Sequence, residues 1–245
     1  MTWTPQSAGI WAILGGISLS EANHVMAAGA WEGVILRTVD GGESWEALRT
    51  GVPHRLLDIE WLDASTWIAV GQRGMILRTD DDGASWTKVE SGILNLLRSV
   101  TFIDSRVGTA VGGGGVILRT EDGGHSWIYQ KSGTREFLVD VFFTDSDHGF
   151  AVGHGGTILV THDAGRTWSP QTSGTSEILS GVHFTDSSTG TVVGFEGTIL
   201  VTKDGGATWT RETSWTRVPL FAVHFIDKNS GVIVGGGGTI LRTVH

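Results

Sequence analysis

Cysteine is absent from this 245-residue chain, tyrosine occurs once and proline only 4 times. Without cysteine there are no disulfides, no thiolate-ligated zinc and no thiol catalysis. No run approaches the ~18 apolar residues that a membrane-spanning helix needs. The N-terminus lacks a basic start followed by an apolar stretch, so no signal peptide is visible. The chain as it stands reads as cytoplasmic, and as periplasmic or lumenal if a leader has been trimmed. Positive charge is also scarce, with 17 Lys and Arg against 26 Asp and Glu, for a net charge of −9. Nucleic-acid binding generally requires a basic face, so no nucleic-acid partner is expected. What the chain has in quantity is glycine, 37 residues, beside a 40% hydrophobic content that can bury a large core.

The glycines are periodic. Gly-x-Ile-Leu-(Arg/Val)-Thr begins at Gly33, Gly74, Gly115, Gly156, Gly197 and Gly238, a constant step of 41 residues. A repeat of this size cannot bury its faces without neighbours, so one domain over 1–245 is expected. In the repeat at 92–133, Leu97–Ile103, Val107–Val111, Val116–Thr120 and Ser126–Lys131 read as four short strands, A to D, separated by turn residues. That spacing describes an antiparallel meander. Six such sheets arranged radially form a six-bladed β-propeller, an all-β fold that leaves only short protected edges. The sixth repeat stops at Thr243-Val244-His245, and its missing end stands at the other terminus, where Trp3 falls in the repeated tryptophan position. The expectation is a ring closed by the N-terminal strand, Thr2 to Gln6, completing the last blade.

Five repeats run into an Asp-Gly turn and a tryptophan: Asp40 to Trp45, Asp81 to Trp86, Asp122 to Trp127, Asp163 to Trp168 and Asp204 to Trp209. A short Asp side chain can accept hydrogen bonds from backbone N–H groups two residues on, and glycines take the positive-φ positions of the turn. This is the Asp-box, or BNR, motif, and its role is structural. The longer string Gly-x-Ile-Leu-Arg-Thr-x-Asp-Gly-Gly-x-x-Trp, nearly complete at Gly33–Trp45, Gly115–Trp127 and Gly197–Trp209, resembles the photosystem II stability/assembly factor family. So does the stretch Asp140 to Gly156. The resemblance spans the chain and implies a non-enzymatic propeller that holds a membrane-protein subunit during assembly. Photosynthetic members of that family have seven blades and are exported; six repeats are counted here. The regularity would also follow from deliberate design or from rebuilding one amplified blade.

Sialidases share the Asp-box, and Trp215-Thr216-Arg217-Val218-Pro219 resembles their Phe-Arg-Ile-Pro signature. Those enzymes use a tyrosine nucleophile, and Tyr129 falls on an outer strand D, away from any central site. A glycosidase is therefore the least favoured reading, and no enzyme activity and no cofactor are expected.

Repeated positions carry the fold, so binding residues are sought where the copies differ, on the D–A and B–C loops. Trp11, Trp31, Phe195 and Trp215 form one aromatic sector, with Arg217, Glu32 and Glu196 beside it. Exposed aromatics rimmed by polar groups mark binding sites. They suit a protein segment or, as the alternative, a carbohydrate stacked on the tryptophans. A second, basic sector comprises His54, Arg55, Arg73 and Arg135, with Glu136 beside it; guanidinium groups could hold an acidic peptide. On strand A one position reads Ser18, Glu60, Thr101, Phe142, His183, His224, and two positions earlier stand Asp58 and Asp140. These read as hydrogen-bonded channel residues, with no metal expected. The strand C arginines Arg37, Arg78, Arg119 and Arg242 read as inter-blade packing. A protein or peptide partner and a monomer complete the expectations.

Overall fold

A computed structural model describes residues 14–20, 24–29 and 33–243. It contains six sheets in chain order. The first is β1 (Leu14–Leu19), β2 (Val25–Gly29), β3 (Val34–Thr38) and β4 (Glu46–Arg49); the second is β5 (Leu56–Asp63), β6 (Thr66–Gly71), β7 (Ile76–Thr79) and β8 (Thr87–Val89). The third is β9 (Leu97–Phe102), β10 (Gly108–Gly112), β11 (Ile117–Thr120) and β12 (Ile128–Gln130); the fourth is β13 (Leu138–Phe143), β14 (Gly149–Gly153), β15 (Ile158–Thr161) and β16 (Ser169–Gln171). The fifth is β17 (Leu179–Phe184), β18 (Gly190–Gly194), β19 (Ile199–Thr202) and β20 (Thr210–Glu212). The sixth has three strands among the described residues, β21 (Leu220–Asp227), β22 (Ser230–Gly235) and β23 (Ile240–Arg242). Trp3 and the closing segment Thr2 to Gln6 lie outside the described residues, as do Trp11, Trp31 and Glu32.

Neighbouring strands pair antiparallel, and the register repeats from sheet to sheet. Ile158 faces Gln171 in the fourth sheet as Ile199 faces Glu212 in the fifth. The strands expected in the repeat at 92–133 stand within two residues of their observed ends, and the glycine run after β10 forms a three-residue 3-10 turn, Gly113–Gly115.

The chain divides into two compact units, Met1–Ala110 with Thr120–Ile128, and Val111–Arg119 with Tyr129–His245. In the first, Met26, Ile35, Leu56, Ile59, Trp67 and Leu77 form a core, and the wholly buried Trp67 satisfies its indole N–H on Asp82 Oδ1 at 3.0 Å. In the second, Phe150, Val160, Leu179, Val182, Phe184 and Leu200 form one core and Val111, Ile117, Leu138, Val141, Leu159 and Trp168 another. Each such side chain contributes roughly 1.5–3 kcal/mol on burial.

The Asp-box is tied differently from the expectation. Asp163 Oδ1 accepts from the backbone N–H of Thr167, four residues on rather than two, and Oδ2 from the Thr167 hydroxyl. The partner that reaches across the turn is Thr161, whose hydroxyl donates to Asp163 Oδ1 and accepts from the N–H of Gly165. Asp40, Asp81, Asp122 and Asp204 repeat these bonds. Two consecutive residues of the turn stand at positive φ, as Ala164 (+58°) and Gly165 (+80°) do.

These turns also join successive sheets. Gly206 (φ +84°) has no room for a side chain, because a Cβ would stand 2.5 Å from Phe150 of the preceding sheet. Trp209 packs edge-on against Phe150 and Phe184, at ring separations of 6.2 and 6.0 Å. Three of the strand C arginines reach the next turn. Arg119 Nε donates to the Ala164 carbonyl at 2.6 Å, Arg78 reaches the Gly123 carbonyl, and Arg37 pairs with Asp82 at 3.1 Å. At the place on the fifth sheet that matches Phe150, Thr191 instead lines a cleft of about 880 Å³, with Ile199, Val201, Phe225, Ile233 and Leu241.

Candidate functional site

In four repeats the loop between the last strand of one sheet and the first of the next carries a glycine with left-handed backbone: Gly51 and Gly133 at φ +78°, Gly92 and Gly174 at φ +73°. In three of them a serine holds the loop on one side. Ser132 Oγ donates to the Thr134 carbonyl at 3.2 Å, and Ser173 Oγ to that of Thr175 at 3.2 Å. Before the sixth sheet the same loop recurs, with Ser214 Oγ donating to the Thr216 carbonyl at 3.0 Å, but the glycine slot holds Trp215. Trp215 keeps the left-handed conformation (φ +56°) and is 94% exposed. A bulky L-residue there costs about 1–2 kcal/mol of backbone strain, and the exposed indole recovers none of it by burial. Strain of this sort concentrates where a side chain has work to do outside the fold.

A hollow of about 550 Å³ lies at this loop, lined by Glu196, Arg211, Glu212, Trp215, Thr216 and Arg217. Glu196 is also a left-handed residue (φ +53°), in the slot where Gly114 and Gly155 stand. Arg211 Nη2 reaches the Glu196 carbonyl at 3.4 Å. Arg217 is exposed. Phe195 stands edge-on to the half-exposed Phe221 at 6.5 Å. Trp215 and Arg217 of the expected aromatic sector line this hollow, and Phe195 stands beside Phe221. Phe221 and Arg211 were missed by the sequence reading. The signal for Phe221 lies in the residue after the repeated leucine, where the copies read Gly15, Leu57, Arg98, Val139, Ser180 and Phe221.

His54, Arg55 and Arg73 belong to the first compact unit, where the N–H of Gln72 donates to the Arg55 carbonyl and Gln72 Oε1 accepts from the Arg55 N–H. Arg73 is a further non-glycine residue at positive φ (+58°). Arg135 belongs to the second unit and is exposed.

The strand A positions are paired internally. Asp58 Oδ2 accepts from the Val100 N–H at 2.9 Å, and Asp140 Oδ2 from the Val182 N–H at 3.0 Å, so each carboxylate ties one inner strand to the next. Glu60 accepts from Ser18 Oγ at 3.3 Å. Burial, and next the neighbouring Asp58, push its carboxyl up to about 8, so it is protonated at neutral pH. His183 packs against Phe142 and His224 at ring separations of 5.0 and 4.7 Å. Burial and then His224 push His183 down to about 4, which keeps it neutral. The one tyrosine, Tyr129, is exposed on the outer strand β12.

The family model for Photosynthesis system II assembly factor YCF48 matches residues 1–96, 126–180 and 174–244. The solved structure of YCF48 bound to D1 peptide is 23% identical and superposes with a TM-score of 0.81 over 100% of this chain and 83% of that one. YCF48 from Cyanidioschyzon merolae is 18% identical with a TM-score of 0.57, over 95% of each chain. The GH74 enzyme of Niastella koreensis is 14% identical with a TM-score of 0.77, over 94% of this chain but 44% of that one. No curated protein sequence matches the chain. At these identities the structures share a fold with this chain: an all-β propeller whose blades are its six sheets.

Proposed function

The chain belongs to the Photosynthesis system II assembly factor YCF48 family, and from that premise we propose that it is a non-catalytic binding scaffold whose loop site around Trp215 holds an extended segment of a partner protein. The observation that carries this reading is Trp215 itself, left-handed where four repeats have glycine and 94% exposed. Tryptophan and arginine are the residues that most often anchor interfaces, and Arg217 and Arg211 flank this one. The hollow has room for one large side chain of a bound peptide beside the indole. The guanidinium groups would take its carboxylates or carbonyls. A relative's structure holding a D1 peptide supports a peptide as the class of ligand.

The test is selection of a displayed random-peptide library on the purified chain, with a glycan array run in parallel. Enrichment of peptides that share a motif, with a bare array, supports the scaffold. Enrichment of sugars with no peptide motif would replace it with a carbohydrate-binding module stacked on Trp215.

A further inference from the structure

The turn between β13 and β14 is fixed by Asp145, whose Oδ1 accepts the N–H groups of Asp147 at 2.8 Å and His148 at 2.9 Å. An aspartate occupies this place in other repeats as well, at Asp63, Asp104, Asp186 and Asp227, so its backbone bonds belong to the fold. In the fourth sheet the carboxylate does something more. Both oxygens lie 2.9 Å from Nδ1 of His148. That fixes the ring, and in the neutral tautomer that donates Nδ1–H to the carboxylate, Nε2 is the nitrogen open to a ligand. Beside it stands His162, one residue before the Asp-box aspartate, with the two rings 5.2 Å apart and nearly perpendicular at 74°. Both histidines are exposed.

The same two positions read His24 and Val39, Thr66 and Asp80, Val107 and Glu121, Thr189 and Lys203, Ser230 and Val244 elsewhere. Only the fourth repeat places an imidazole at both, so the Asp-box fold does not demand the pair.

We propose that His148 and His162 bind one divalent transition-metal ion, zinc in the first instance, with Asp145 as the carboxylate that orients His148. Imidazole nitrogens hold zinc at ~2.1 Å, so the ion stands about 3.2 Å from each ring centre. Two ring centres 5.2 Å apart stand within the roughly 6.4 Å that two such imidazoles can span across one ion. A carboxylate on the far nitrogen of a metal-binding histidine is the usual outer partner; it fixes the tautomer and raises the basicity of the ligand. Water fills the other two positions, as exposure allows. The backbone bonds of Asp145 and Asp163 hold both turns before the metal arrives, so little order is lost on binding.

The experiment is calorimetric titration of the full chain with zinc chloride at neutral pH, together with the histidine ring resonances in an NMR spectrum. One zinc per chain is expected, with resonances of two histidines moving together. His148→Ala and His162→Ala should each weaken binding at least tenfold, and Asp145→Asn by about tenfold, the size of effect that outer partners usually have. His162 is exposed and makes no turn contact of the Asp145 kind, so His162→Ala tests the site even if a change at Asp145 disturbs the fold. The proposal is overturned if zinc does not bind, if binding survives His162→Ala, or if it is lost on His183→Ala instead.

Discussion

Replacing Trp215 with glycine should leave the protein as stable as before or more so. The indole is 94% exposed, so its removal forfeits almost no burial. The backbone at φ +56° returns to the residue that the equivalent loops use. Relief of left-handed strain is worth about 1–2 kcal/mol. Against it, glycine widens the unfolded ensemble at a cost of about 0.5–1 kcal/mol. The balance is a gain of about 0.5–1 kcal/mol, or a rise in Tm of roughly 1–4 °C for a chain of this length. Differential scanning calorimetry of the two proteins at one pH measures it. The reciprocal change is informative too. A Cβ at Gly174 would meet nothing within 4 Å, so the first side-chain atom of Gly174→Trp is free of clashes and the backbone cost dominates. It should lower stability by about 1 kcal/mol. A fall in Tm of more than about 3 °C for Trp215→Gly, on the order of 1 kcal/mol, would refute the reasoning, since it would mean that the indole is packed into the fold.

Two further expectations concern pH. Glu60 holds its proton up to about 8 in the folded protein, whereas the unfolded chain loses it from 4.5. The folded state therefore binds more protons between those values, and stability falls as pH rises through the window. Glu60→Gln should flatten the decline of Tm between pH 5 and 8, and an unchanged slope in that variant would contradict the buried, protonated carboxyl. Asp81 behaves in the opposite sense. Hydrogen bonds from the Ser85 and Thr79 side chains and then the Ser85 N–H hold it at about 2, against 3.8 unfolded. Its contribution is complete above the unfolded value and is lost as pH falls toward 2. Asp81→Asn should shrink the loss of Tm between pH 4 and 2, and a melting series in acid checks it.

Much of the fold was legible because the 41-residue period repeats each packing unit. The Asp-box tryptophans Trp127 and Trp168 bond Gly124 and Gly165 within their own turns. The strand C arginines were legible for the same reason, because Arg37, Arg78 and Arg119 each meet the next turn in register. The site was legible only in part. Trp215 stood out as a departure from glycine, but the left-handed backbone that makes the departure costly is a property of loop geometry. Phe221 was missed because it sits on a strand, where attention to loops does not look.

The most direct test of the account takes a peptide selected on the chain and measures its affinity, by fluorescence anisotropy, for the unaltered protein, Trp215→Gly and Arg217→Ala. A central tryptophan anchor is worth about 2 kcal/mol or more. Trp215→Gly should therefore weaken binding at least about thirtyfold while Tm holds or rises, and Arg217→Ala should weaken it less. Equal affinity for the unaltered protein and Trp215→Gly would contradict the central claim, and would move the partner segment away from this loop.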